Sequence, residues 1–239
     1  MKAEILKILK KEKDYVSGQE LCESLGVSRT AVWKAIRQLE EQGYVIEAVR
    51  NKGYRLVEEA DVLTVAELHS VLDTKWLGKE LEYYYEADST NNRARDAAEK
   101  GASHGFLAVA DCQTAGKGRR GRVWNSPHGT DIYMSFVLRP TFTPSQASML
   151  TLVAGMAVVK GVQKATGLSA MIKWPNDAVV NGKKICGILT EMSTEEDAIR
   201  YVVPGIGINV NATEFPEEIR DKATSLKLEL GRSVKTQVM

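Results

Sequence analysis

The stretch Asp177-Ala178-Val179-Val180-Asn181-Gly182-Lys183-Lys184-Ile185-Cys186-Gly187-Ile188-Leu189-Thr190-Glu191-Met192 decides how the larger part of this chain reads. Asn-Gly is the pair favoured in a type I′ turn, whose two central residues both need positive φ. On either side lie apolar, β-branched-rich runs, Asp177–Val180 and Lys184–Met192, so the segment reads as a β-hairpin. Strand alternation puts Lys184 on one face with Cys186, Ile188, Thr190 and Met192, and Lys183 on the other. A lysine on a mainly apolar face is costly without a partner. Lys184 is therefore either the ligand of a bound carboxylate or phosphate, or an exposed lysine beside a turn.

Outward from this hairpin, further strands are expected at Leu81–Tyr85, Gly105–Cys112, Ile132–Leu138 and Tyr201–Val210. Helices are expected at Val65–Leu72, after Ser89-Thr90-Asn91-Asn92, and over the Ala/Val-rich Ser145–Thr166. Hairpins interspersed with helices give an α+β domain with a mixed sheet, assigned to residues 65–239. In Pro204-Gly205-Ile206-Gly207-Ile208-Asn209-Val210, alternation sends the isoleucines to the core and Gly205, Gly207 and Asn209 to the other face. Two glycines there leave room for a planar ligand, and the Asn209 amide has the donors and acceptors to meet an adenine edge; a strand bulge is the plainer alternative.

The first sixty residues read differently. Ile5, Leu6, Ile8 and Leu9 stripe one helix, Ser17 can cap a second, and Ser28 caps a third in which Val32, Ile36 and Leu39 recur at helical spacing. Gly43 ends it, and the runs Tyr44–Val49 and Tyr54–Val57 form a hairpin around Asn51-Lys52-Gly53. Three short helices and a hairpin make a winged helix-turn-helix, residues 1–60, and Glu58-Glu59-Ala60-Asp61 reads as a linker. The outer face of the third helix carries Ser28, Arg29, Thr30, Trp33, Lys34 and Arg37, with Lys52 on the wing. These groups suit phosphates and base edges. A protein-interaction module is the alternative.

The segment Gln113-Thr114-Ala115-Gly116-Lys117-Gly118-Arg119-Arg120-Gly121-Arg122 carries four cations, three glycines and no acid. Glycines allow close backbone approach to an anion, and arginines give bidentate donors. It reads as an anion-binding loop that orders on its ligand, against the alternatives of a disordered basic loop or a nucleic-acid contact. The terminal Gly-Lys-Ser/Thr of a Walker A loop is absent. Ser89-Thr90-Asn91-Asn92 reads as a helix cap, as an anion site at a helix N-terminus, or as both. Lys173-Trp174-Pro175-Asn176-Asp177 reads as a turn or as a ligand-facing wall.

The chain has 239 residues and a formal net charge of +1, so a basic surface, if present, is local. Its three cysteines, Cys22, Cys112 and Cys186, form no CxxC pair, which disfavours a disulfide framework and a structural zinc site. His69, His104 and His128 have no metal-ligand spacing and read as surface or helix-packing residues. With no signal-peptide core and no run of about 18 apolar residues, the expected location is cytoplasmic, without a membrane partner.

Taken together, Ser28–Lys34, Ser89–Asn91, Gln113–Trp124, Lys173–Asp177, Lys184–Leu189 and Gly205–Asn209 resemble the bifunctional biotin–protein ligase/biotin operon repressor family of bacteria. The resemblance implies that biotin and Mg-ATP give biotinyl-5′-adenylate. The biotinyl group then passes to a lysine of the biotin carboxyl carrier domain of acetyl-CoA carboxylase. By that analogy Ser89, Thr90, Asn91, Gln113, Lys117, Gly118, Arg119 and Lys184 hold biotin, with Lys184 and Arg119 catalytic. Arg119, Arg120, Arg122, Trp124, Asn176 and Asn209 serve the nucleotide, and Asp177 the Mg2+ ion. Operator DNA and, in the adenylate-bound state, a homodimer are the implied partners. Position 117 is Lys where the family often has Arg. The family's small β-barrel domain after the catalytic core is not found in residues 1–239, so the catalytic domain is expected to be shortened. The competing functions are a biotin-responsive repressor without ligase activity and a lipoate ligase, which shares the catalytic fold.

Overall fold

The structure, a computed structural model, describes residues 1–12, 14–58, 61–196 and 198–236. It divides into two compact units, Met1–Asp73 and Thr74–Met239.

The first unit contains α1 (Lys2–Lys11), α2 (Gly18–Leu25), α3 (Arg29–Glu41), the hairpin β1 (Val45–Val49) and β2 (Gly53–Glu58), and α4 (Val65–Val71). The caps fall where the sequence puts them. Ser17 Oγ accepts from the Glu20 N–H at 3.0 Å and Ser28 Oγ from the Ala31 N–H at 3.3 Å. Ile5, Leu6, Leu9, Leu21, Val32, Ile36 and Leu39 close a single core. Val16 adds a short third strand to the wing, exchanging two 2.9 Å backbone bonds with Tyr54. This brings the Val16 carbonyl so close to Gly53 that a Cβ there would lie 2.0 Å from its oxygen, and Gly53 has φ of 115°.

The expected domain boundary at residue 65 shifts. Helix α4 packs on α1 and lies in the first unit. Thr64 caps it, Ala66 joins the core, and the fully buried Glu67 carboxylate takes Lys10 and Tyr44. An acid spaced like a surface residue is thus the polar anchor of the unit. Glu59 and Ala60 of the expected linker lie outside the described residues.

The second unit is built on a seven-stranded sheet formed by β3 (Leu81–Ala87), β4 (Leu107–Gln113), β5 (Ile132–Phe136), β6 (Met171–Lys173), β7 (Asp177–Val180), β8 (Lys183–Glu195) and β9 (Ala198–Ile208), in the order β3-β4-β5-β9-β8-β7-β6. β3 and β4 are parallel and the other neighbours antiparallel, the mixed sheet that the hairpins imply. Helices α5 (Thr90–Glu99) and α6 (Ser148–Thr166) pack on the sheet, and the short α7 (Leu226–Leu230) follows β9. Alanines 94 and 98 seat α5 against Phe106, Val137 and Val203. By length and composition α6 would pass as a membrane span, but Ala154, Gly155, Val158 and Val162 are buried in its packing on the sheet.

Asn181 and Gly182 have φ of 50° and 80°, as a type I′ turn requires. The strict alternation expected after the turn fails. The β7–β8 register slips between Ala178 and Val179, which pair with Cys186 and Lys184. This bulge makes Ile185 the extra residue, so Ile185 and Cys186 are both buried while Lys184 shares the open side with Gly187. β6 and α7 are both short, and sequence periodicity did not mark them.

Candidate active site

One cleft in the second unit is walled by the N-terminus of α5, the 113–124 segment, Asn176, β8 and β9. Its cavity volume is about 50 Å³. Ligand sites usually span roughly 300–1,000 Å³, so a ligand the size of a nucleotide needs the covering side chains to move.

At one end, Ser89, Thr90 and Asn91 are buried. Ser89 is the N-cap of α5 but makes no side-chain capping bond. The cap comes from β4, where Gln113 Oε1 accepts from the Thr90 N–H at 2.8 Å and lies 3.2 Å from Thr90 Oγ1. Gln113 Nε2 in turn donates to Ser126 Oγ at 2.8 Å. Asn91 is held from both sides. Its Nδ2 donates to Glu191 Oε2 at 2.7 Å, and its Oδ1 lies 2.7 Å from Ser135 Oγ. The reading of these residues as a simple cap therefore gives way to a buried polar wall of fixed orientation. Ser126, Ser135 and Glu191, which hold that wall, carry no signal in the sequence, because only the fold brings them to it.

The basic segment closes over the cleft as a tight hairpin. The Trp124 N–H donates to the Gly116 carbonyl at 2.9 Å and the Gly118 N–H to the Arg122 carbonyl at 2.7 Å. Two cations latch it to opposite walls. Lys117 Nζ donates to Asn92 Oδ1 at 2.7 Å, and an Arg119 guanidinium N–H donates to Asn176 Oδ1 at 3.0 Å. Asn92 is in turn bonded to Asp88 Oδ2 at 2.6 Å. Burial opposes charge on Asp88, yet hydrogen bonds from Asn92 and from the Ser89 N–H, with Arg93 beside it, hold its carboxyl below the usual carboxylate value. Arg120 and Arg122 do not reach the cleft; both are exposed on the outside of the hairpin.

Behind the lid, Lys184 Nζ lies 2.7 Å from Asp177 Oδ1 and 5.2 Å from the centre of the Trp124 ring. The lysine face expected from alternation is wrong in its neighbours, because of the bulge, and the anion beside Lys184 is the chain's own Asp177. Burial pushes the thiol of neighbouring Cys186 up. The wall carries Lys117, Arg119 and Lys184 and, among the described residues, no carboxylate; with Asp177 pairing Lys184 beside it the balance stays positive, which suits anions.

Gly205 and Gly207 face this cleft as alternation requires, but the space over them is filled by the chain itself. A Cβ on Gly207 would lie 2.5 Å from the Trp124 indole, and one on Gly205 would lie 1.8 Å from Asn91 Oδ1. Trp124 Nε1 is enclosed and has no hydrogen-bond partner among the described residues. Asn209 departs from the expected adenine contact. It is buried off the cleft wall, its Nδ2 spent on the Thr224 carbonyl at 3.0 Å.

In the first unit, the buried positions of α3 alternate with an outer face of Arg29, Thr30, Trp33, Lys34 and Arg37. Arg37 lies over the half-exposed Trp33 ring at 5.6 Å, and Arg29 bonds Gln19 Oε1 at 2.8 Å. On the wing, Lys52 lies over Tyr15 at 5.5 Å.

Residues 83–209 match the biotin/lipoate A/B protein ligase family and residues 2–55 an HTH domain. The bifunctional ligase/repressor BirA of Bacillus subtilis strain 168 is 47% identical over 223 residues, 92% of this chain and 69% of that protein. The BirA of Escherichia coli K12 is 34% identical over 86% of this chain and 63% of its own length. Among solved structures, the biotin protein ligase from Aquifex aeolicus in complex with biotin and ATP shares 38% identity, with a TM-score of 0.57 over 67% of each chain. The chain belongs to the biotin/lipoate A/B protein ligase family.

Proposed function

We propose that the cleft takes biotin and ATP and joins them as biotinyl-5′-adenylate. The protein is an ATP-dependent biotin–protein ligase that passes the biotinyl group to a lysine of a biotin carboxyl carrier protein and also serves as a biotin-responsive repressor. One observation carries the assignment of the chemistry to this cleft: Lys117 and Arg119 latch a glycine-rich lid between the α5 terminus and Asn176, directly in front of Lys184.

In the first step a biotin carboxylate oxygen attacks the α-phosphorus of ATP and pyrophosphate leaves. In the second, the acceptor amine attacks the acyl carbon, AMP leaves, and an amide forms. The first step brings two anions together, and fixed cations aimed at the developing charge lower its cost. Ser89, Thr90, Asn91 and Gln113 form the biotin end, with Gly118 in the lid above. Lys184 exchanges Asp177 for the biotin carboxylate and then for the acyl-phosphate oxygens. Arg119 leaves Asn176 for the phosphates, and the Trp124 indole offers its face to the adenine. Arg120 and Arg122, exposed at the rim, attract the nucleotide through their charge. Mg2+ arriving with ATP would neutralise phosphate charge, and Asp177 with Asn176 supplies the oxygen donors beside it. One carboxylate and substrate phosphates are the usual company of that ion. The closed lid excludes water from the mixed anhydride.

Ser28, Arg29, Thr30, Trp33, Lys34, Arg37 and Lys52 form the DNA-facing surface. An adenylate-bound homodimer would set two such helices against a palindromic operator. Incubation of the chain with biotin, Mg-ATP and a biotin carboxyl carrier domain should give an acceptor one biotinyl group heavier by mass spectrometry. Biotinyl-adenylate accumulating without transfer would restrict the chain to the first step, and labelling with lipoate in preference to biotin would overturn the substrate.

A further inference from the structure

The exposed end of the β3–β4 pair gathers three donors that play no part in the ligase chemistry. Glu86 and Cys112 are register partners on these parallel strands, and His128 comes over from the loop before β5. The ligand atoms of Glu86, Cys112 and His128 all lie within 4.8 Å of one another, and His128 Nε2 is 3.9 Å from Glu86 Oε2. Zinc bonds of about 2.0–2.3 Å place tetrahedral ligands roughly 3.3–3.8 Å apart, so these donors need to close by no more than about 1.5 Å.

A second observation shows that the histidine is held for such a role. Its Nδ1 lies 2.7 Å from Asp111 Oδ2, and Asp111 Oδ1 accepts from the Gly129 N–H at 3.3 Å. The Tyr85 ring stacks on the imidazole, 4.5 Å between centres at 26°. A carboxylate on one ring nitrogen fixes the tautomer and directs the other nitrogen outward, the arrangement that supports metal-bound histidines. Here the other nitrogen, Nε2, is the one that lies 3.9 Å from Glu86 Oε2. The three side chains are 42, 26 and 16 residues apart in pairwise sequence separation, so no spacing motif could reveal them.

We propose that Glu86, Cys112 and His128 form a binding site for a divalent transition metal, with Asp111 as the positioning residue for His128. A thiolate, an imidazole and one carboxylate select zinc over calcium or magnesium, which prefer oxygen alone. Three protein ligands leave a fourth position for water or for an exogenous donor.

The test uses the full chain stripped of metal. It is titrated with Zn2+ against a chromophoric chelator and, separately, with Co2+ followed by absorption. One equivalent should bind, with a thiolate-to-cobalt charge-transfer band. Cys112→Ser should abolish the band, His128→Gln and Glu86→Gln should each weaken binding, and Asp111→Asn should weaken it by about 10–100-fold. Melting of each variant without metal separates loss of a ligand from loss of the fold, and His128→Gln, an exposed change, is the variant safest in that respect. No stoichiometric binding by the wild-type chain would overturn the site. So would a band that survives Cys112→Ser, which would place the ion on Cys22 or Cys186, or an affinity indifferent to His128→Gln.

Discussion

At the scale of single residues, the Lys184 side chain rests on Asp177 at the place where a substrate carboxylate would take over from the aspartate. Lys184→Ala should therefore lower single-turnover formation of biotinyl-adenylate by about 10²–10³-fold, the usual scale for a group that meets developing charge. Near-wild-type formation would remove Lys184 from that role. Gly205→Ala tests the biotin wall, since the new methyl must displace the doubly anchored Asn91. Calorimetry should show biotin affinity reduced about tenfold or more, given that one or two kcal/mol of lost fit suffices. Lys184, Asn91 and Gly205 were legible in the sequence as polar or small residues in places where neither is free. What surrounds them was not. Asn209, just past the end of β9, is off the expected face and spends its amide on Thr224, because the segment after β9 folds back over it.

At the scale of elements, the helices and the Asn181-Gly182 hairpin were legible because caps, turn residues and periodicity all agree. The facing of β8 was not. A single bulge reverses alternation, and nothing in the local composition announces it. The wing gives a test of a different kind. Gly53→Ala must fit a Cβ against the Val16 backbone at positive φ, so the first unit should lose about 1–3 kcal/mol of stability. A denaturant midpoint unchanged in that variant would mean that the Val16–Tyr54 pairing is not held. The entry to α5 adds a pH dependence. The Asp88 carboxyl is held below its unfolded value, so its contribution is present above about pH 4 and is lost as pH falls through the lower folded value. Asp88→Asn should flatten that part of the acid limb of a stability–pH curve; an identical limb in the variant would assign the acid sensitivity elsewhere.

At the scale of the whole molecule, two units divide the tasks, and substitutions should divide with them. Lys34→Ala with Arg37→Ala should leave adenylation unchanged and make operator binding less sensitive to salt. The slope of log affinity against log salt should fall by about one for each cation taken off a phosphate. Lys184→Ala should do the reverse: operator binding no longer strengthened by biotin and Mg-ATP, but restored by adenylate supplied ready-made. Sedimentation of the wild-type chain with and without both substrates would show whether dimer formation follows the same ligand. The α+β class and the winged helix were legible because each rests on many local signals. The boundary between the units was not, because α4 is assigned by the buried Glu67, whose partners Lys10 and Tyr44 are far from it in sequence.

Trp124 and Lys117 belong to one short ribbon, stitched by the Gly116 carbonyl and by the pairing of Lys117 with Val123. The cover of the cleft and the aromatic floor on which a base would rest are therefore the two ends of the same strip of chain. Lifting one end pulls on the other. Nucleotide capture and closure would then be one equilibrium seen from two sides, and Trp124 fluorescence, read in a chain whose other three tryptophans are replaced by Phe, would report both.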